Sequence, residues 1–376
     1  MSLAELSKYL SEDKEKKLII DDILFPAEYQ MDDKFMECSS VFLENPFSET
    51  KYCPKCFKKY NEKENFCYDC LCSLKHLSDM KKPRDISFNP IFTFKGSNVY
   101  NTFDEIFTED NLLKINDFDF SIVDFEKITQ YIKRTALENM DEMAKSNEII
   151  IDDLNIWDKV LMFAKAFVNV DFKSYGVELG HFEFDRITVD DRQTPPLHMT
   201  TLIHELSHFL LKEILVGIIC RILDCEKNSL IESIALYTLI FSPFTQLIDE
   251  YCAHTVEGRF TLYGYQDYSS FLSIEQSLDG EMSREEIDMT KTIGNTFSIA
   301  IKDILETFLD DDLRGDIKDQ FMKYTFDKPN YEMLRLENCS VLKNQGFIKS
   351  IQLIVSEGFH VSASNTEMLI EYEKHF

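Results

Sequence analysis

Leu202-Ile203-His204-Glu205-Leu206-Ser207-His208-Phe209-Leu210 is the stretch on which the reading of this chain turns. His204 and His208 are four positions apart, so on an α-helix they lie on one face, one turn from each other. Two imidazoles at that spacing bind one Zn²⁺, and Glu205 falls beside the water to be activated. The flanks Thr201, Leu202, Ile203, Phe209, Leu210 and Leu211 are uncharged, which predicts a buried helix. A His-Glu-x-x-His pattern arising by chance usually sits among charges on a solvated face.

Upstream, Tyr175 to Asp190 reads as extended, with Val177, Leu179, Phe182, Phe184, Ile187 and Val189 separated by polar positions. Thr194-Pro195-Pro196 then closes the strand, placing the prolines where the helix of His204 has not yet begun. Strand, short loop, metal-binding helix is the order in which zinc peptidases are assembled, with the strand edge holding substrate backbone. His181 sits on this strand, where a half-exposed histidine is the simplest account.

Two histidines leave a catalytic zinc one protein ligand short, since a His₂Glu site keeps the fourth position for water. Downstream, Ser242-Pro243 forms an N-cap followed by proline at the first helical position, and the helix Phe244 to Glu257 ends at Gly258. It carries Asp249 and Glu250, two candidate carboxylates about 100° apart around the axis. Glu250 and His254 share a face, and Cys252-Ala253 leave room for another helix. Past Gly258 lie Arg259, Phe260, Tyr263, Tyr265 and Tyr268. A Tyr, His or Arg in such a place can hydrogen-bond a developing oxyanion, and Tyr263 and Tyr265 are the candidates.

These motifs resemble the gluzincin branch of the zinc metallopeptidases, over residues 175 to 260. The Glu-x-x-Ala-polar pattern after a His-Glu-x-x-His helix is also similar to the repressor-cleaving peptidases of the ImmA/IrrE type. The resemblance implies an α+β, zincin-like metallopeptidase domain and a metalloendopeptidase acting on a protein or peptide substrate. It also implies Glu250 as third ligand and His254 as the residue orienting a metal-bound histidine. Family members carry Asp or Asn at the latter position more often than His, and Asp249 stays the competing ligand.

A second metal motif precedes this domain. Cys53-Pro54-Lys55-Cys56 and Cys67-Tyr68-Asp69-Cys70 are two Cys-x-x-Cys knuckles ten residues apart, the makings of a tetrahedral Cys₄ site holding a structural Zn²⁺. The spacing resembles a small N-terminal zinc ribbon, with Tyr60 and Phe66 as its aromatic core. Phe57 and Leu71 stand where glycine often follows each knuckle, and Cys72 competes with Cys70 as fourth ligand. A module this small lacks an adequate apolar core, so metal binding would stabilise its fold. Such ribbons commonly recruit a partner protein or dock on a neighbouring domain.

The 376 residues therefore divide into an N-terminal segment of unread role (1–46), the ribbon (47–80), a connector packing on the catalytic part (81–150), and the metallopeptidase domain (151–376). Further helices are expected over Ile293 to Leu309, Asp316 to Tyr324 and Glu367 to Lys374. A net charge of −27 argues against nucleic acid as the main partner, although Lys51, Lys55, Lys58, Lys59 and Lys63 make the ribbon locally basic. Ser2 to Lys17 is polar and charged, and the apolar runs Phe209 to Leu223 and Ile234 to Ile248 are interrupted by charges or by Ser242-Pro243. Clustered rather than dispersed cysteines suit a reducing compartment, so a cytoplasmic protein without a membrane segment is expected. Two further readings stand beside the peptidase. In one, the ribbon recruits a partner and the peptidase domain is highly selective or inactive. In the other, His-Glu-x-x-His is fortuitous and the chain is a binding module.

Overall fold

The computed structural model describes residues 51–55, 59–76, 79, 86–173, 179–191, 193, 195–260, 269–278, 281–309, 315, 317 and 345–376. The 1–46 segment, Cys56, Tyr263, Tyr265 and most of the helix expected over 316–324 lie outside these residues.

The cysteine-rich segment is built from two-residue strands. Strands β1 (Lys51–Tyr52), β2 (Lys59–Tyr60) and β5 (Lys75–His76) pair antiparallel in the order β2-β1-β5, and β3 (Phe66–Cys67) pairs with β4 (Cys72–Ser73). Leu71, in the turn between β3 and β4, has φ 50°, the left-handed region that glycine occupies at less cost. Cys53, Cys67 and Leu74 are buried together in a small cluster of their own, while Tyr52 joins the main core.

Short helices α1 (Phe103–Ile106) and α2 (Glu109–Asp117) follow, each opened by a threonine that accepts from a backbone N–H of the first turn. Helix α3 (Phe125–Ser146) is capped by Asp124 and buries Ile128, Ile132, Ala136 and Met143 along one stripe. Ile106, Ile115 and Ile132 are fully buried in the same core as the helix of His204. Helices α1, α2 and α3 thus contribute to that core.

Helix α4 (Ile156–Phe167) leads into β6 (Asn169–Phe172). The stretch expected to be one strand is a hairpin, β7 (Gly180–Glu183) and β8 (Arg186–Val189), with β8 between β7 and a parallel β6. The polar-apolar alternation runs through both arms and conceals the turn. Phe184 takes that turn at φ 55°, a conformation that propensity does not announce for an aromatic residue.

Helix α5 (Pro195–Leu223) has 29 residues and extends about 44 Å. It begins on the two prolines rather than after them. First-turn N–H groups have no intrahelical acceptor, so proline loses nothing there. Every residue from His198 to Cys220 is buried, with apolar side chains on every side and a few polar ones among them. Helix α6 (Ser229–Ile240) packs beside it, and a 94° bend at Phe241-Ser242 sends α7 (Pro243–Glu257) across it. Ser242 caps α7 as its sequence implies, accepting from Thr245 N. Gly258 closes the helix in the right-handed region, φ −57°, not the left-handed one usual for a terminal glycine.

Helix α8 (Ser269–Ser277) and helix α9 (Arg284–Leu305) flank α7, the latter opened by a Ser283/Glu286 capping box. Gly294 lets α9 approach closely, since a Cβ there would stand 2.9 Å from Ile248 O. Helix α10 (Gln345–Ser364), absent from the sequence reading, and α11 (Thr366–Glu373) close the layer over α6. The architecture is mixed α+β, mainly helical with small sheets. Among the described residues no single helix is long and apolar enough to cross a membrane.

Candidate metal centre

The centre is assembled where α7 crosses α5. His204 and His208, one turn apart on α5, bring their Nε2 atoms within 3.2 Å of each other. Glu250, from α7, places Oε2 3.8 Å from His204 Nε2. One donor atom each from His204, His208 and Glu250 lies within 4.8 Å of the other two. The first two residues are buried and Glu250 nearly so.

The outer faces of both imidazoles meet carboxylates. His204 Nδ1 lies 3.1 Å from Glu257 Oε2, and His208 Nδ1 lies 2.9 Å from Asp249 Oδ1. The second contact is a close ion pair rather than an aligned hydrogen bond. Asp249 therefore stands behind His208, on the side away from the point where the Nε2 atoms converge. The sequence suggests His254 as the residue orienting a metal-bound histidine; behind His204 the structure has Glu257. Glu250, His254 and Glu257 follow one face of α7 at positions i, i+4 and i+7, so the signal for Glu257 was present in the spacing. His254 instead turns its Nε2 to Ser270 Oγ at 2.6 Å, with its ring 4.4 Å from that of His204.

Glu205 does not join the converging donors. Its carboxylate lies beneath β7, where a Cβ on Gly180 would be 2.6 Å from Glu205 Oε1. Gly180 is thus the residue that allows an edge strand to pass directly over Glu205. His181, the next residue on β7, is half-buried.

These groups titrate together. Burial pushes the Glu205 carboxyl up, against the pull of the His204 and His208 charges. Burial opposes ionisation of Glu250 and Glu257 as well. The histidines beside Glu250, and the hydrogen bond from His204 together with the nearby His254 ring at Glu257, nonetheless hold both below the usual carboxylate range. His208 feels burial in the opposite sense, but Asp249, then Glu250 and Glu205, hold it up to about 10.

In the cysteine cluster, Cys53, Cys67 and Cys70 come together with their sulfurs within 4.8 Å. Cys72 Sγ is 3.4 Å from Cys53 Sγ, so both candidates for the fourth place are close. Tyr60 donates to Cys67 Sγ at 3.0 Å and lowers that thiol's pKa, whereas burial and the neighbouring Cys53 raise that of Cys72. Tyr60 therefore contacts the sulfur cluster directly through its hydroxyl, while Phe66 is partly exposed and stacks edge-on to Tyr68.

Comparison with protein-family models, with curated proteins and with solved structures finds no match to this chain.

Proposed function

We propose that the chain is a zincin-like, zinc-dependent peptidase of gluzincin type, with His204, His208 and Glu250 as metal ligands and Glu205 as general base. The observation that carries this reading is the convergence of the two Nε2 atoms. Carboxylates behind both rings favour the tautomer with hydrogen on Nδ1, which leaves both Nε2 lone pairs aimed at one point. Two lone pairs 3.2 Å apart repel unless a cation or a proton lies between them. A carboxylate oxygen completes a nitrogen and oxygen donor set of the kind zinc takes in catalytic sites.

Bound there, zinc supplies a Lewis acid that polarises a carbonyl and acidifies a coordinated water. The chain's own residues do the rest. Glu205 takes the proton of the attacking water and later returns it to the leaving amine. Burial raises its carboxyl toward the neutral range that suits a group both accepting and donating. Strand β7 is an edge of its sheet, and among the described residues its outer side has no ladder partner. An extended substrate segment added to it would run above Glu205. The cysteine cluster, in the same reading, is a ribbon holding a structural zinc.

The Glu205→Gln variant tests the assignment. It is expected to keep its zinc and to lose hydrolysis of a protein substrate such as casein. Undiminished cleavage by that variant would remove Glu205 from the chemistry.

A further inference from the structure

The Glu250 oxygen nearest His204 is already engaged from a third helix. Ser270, on α8, donates its hydroxyl to Glu250 Oε2 at 2.5 Å. A serine has a single hydroxyl proton, so the 2.6 Å contact between Ser270 Oγ and His254 Nε2 runs the other way, with the imidazole N–H donating. Ser270 is thus fixed from both sides. The neighbouring rung is apolar: Phe271, fully buried, meets Tyr251 edge-on with ring centroids 5.1 Å apart. Adjacent residues of α7, Glu250 and Tyr251, therefore grip adjacent residues of α8, Ser270 and Phe271. Leu247 and Leu278 close the same small apolar cluster.

We propose that Ser270 is a positioning residue for the metal and that docking of α8 and metal binding are coupled through it. The inference rests on the reading of His204, His208 and Glu250 as ligands. A glutamate side chain rotates freely about its last bonds, and a ligand carboxylate without a partner loses that freedom only on binding. Ser270 fixes the rotamer beforehand. Oε2 accepts from the hydroxyl through one lone pair and keeps a second for the metal, so the bond sets where that oxygen points. The coupling is reciprocal, so whatever α8 contributes to metal affinity, the metal returns to the docking of α8. His254 completes the chain, which gives a role to a histidine at a position where the resembled family more often carries Asp or Asn.

The experiment uses the full chain and zinc alone. Zinc affinity is measured by competition with a chromophoric chelator, following the component that disappears in His204→Ala. Ser270→Ala is expected to weaken that component by about 10- to 100-fold, and Ser270→Thr, which restores the hydroxyl, to recover most of it. Hydrogen exchange over residues 270–277 is expected to slow when zinc is added to the wild type and to respond much less in Ser270→Ala. Unchanged zinc affinity in Ser270→Ala overturns the proposal, even if the melting temperature of the metal-free variant falls, because the serine would then be merely structural. If no zinc component of the wild type depends on His204, the metal-site reading itself fails, and this inference with it.

Discussion

Glu257 shows what the pair of motifs could and could not announce at the scale of single residues. The geometry of His204, Glu205 and His208 is local, because four residues of helix suffice to place the imidazoles together. The partners behind the imidazoles depend on the angle and rotation at which α7 crosses α5. Asp249 and Glu250 are adjacent in sequence, and only the crossing decides which faces the converging nitrogens and which stands behind His208. Glu257 makes the hydrogen bond that orients His204, so Glu257→Gln is expected to weaken zinc binding by about 10- to 100-fold in chelator competition. The pH dependence follows from His208. Its pKa without metal, about 10, lies above the ordinary 6.5, so the proton is held throughout the neutral range. That protonation stabilises the metal-free fold fully below pH 6.5, and the contribution is lost as pH rises toward 10. Zinc needs the free lone pair, so its affinity is expected to climb about tenfold per pH unit for each proton displaced between pH 7 and 9. A flat affinity profile over that range would show that His208 enters the site already neutral.

At the scale of elements, caps were easier to read than chain reversals. Ser242-Pro243 marked the start of α7 because capping is a matter of a few neighbouring atoms. The hairpin of β7 and β8 was not legible, since its turn is made by Phe184-Asp185 and not by glycine or asparagine. Helix α5 starts on its prolines for the complementary reason, that a first turn does not need their missing N–H groups. In the peptidase proposal the hairpin matters because it brings Gly180 over Glu205. A methyl group at that position would lie 2.6 Å from both Glu205 Oε1 and Thr201 Cγ2, so either the strand or the carboxylate must move. Gly180→Ala is expected to lower kcat by at least about tenfold, roughly 1.4 kcal/mol in the barrier, while zinc content stays that of the wild type. Unaltered kcat would mean that the strand does not set the position of the base.

At the scale of the whole molecule, a buried ionic layer that lay beyond any motif sits one turn along α5 from the candidate metal centre. Lys212, one turn beyond His208 on α5, is 1% exposed and lies 3.1 Å from Glu232 on α6. Glu213, fully buried, receives Lys227 at 2.8 Å, and Lys227 also reaches Glu232 at 3.0 Å. The rings of Phe209 and of the final residue, Phe376, each lie 5.0 Å from the Lys212 ammonium. In sequence Lys212 and Glu213 only interrupted the apolar run after Phe209. Their pairing joins residues from separate elements, which no local pattern encodes. Removing one partner leaves the others charged in a dry interior, so Lys227→Met is expected to cost about 3–5 kcal/mol in denaturant unfolding. A loss below about 1 kcal/mol would indicate that the layer is hydrated. Helix α5 was legible from the spacing of His204 and His208, their uncharged flanks and the apolar run beyond them. Helix α10 and the docking of α8 were not, because they are selected by the surfaces they cover.

If His204, His208 and Glu250 hold a metal of their own beside one in the cysteine cluster, the metal content per chain reports it. Elemental analysis of the purified full chain is expected to give about two zinc ions, falling to about one in His204→Ala with the fold intact by circular dichroism. A zinc content unchanged by His204→Ala would contradict the account.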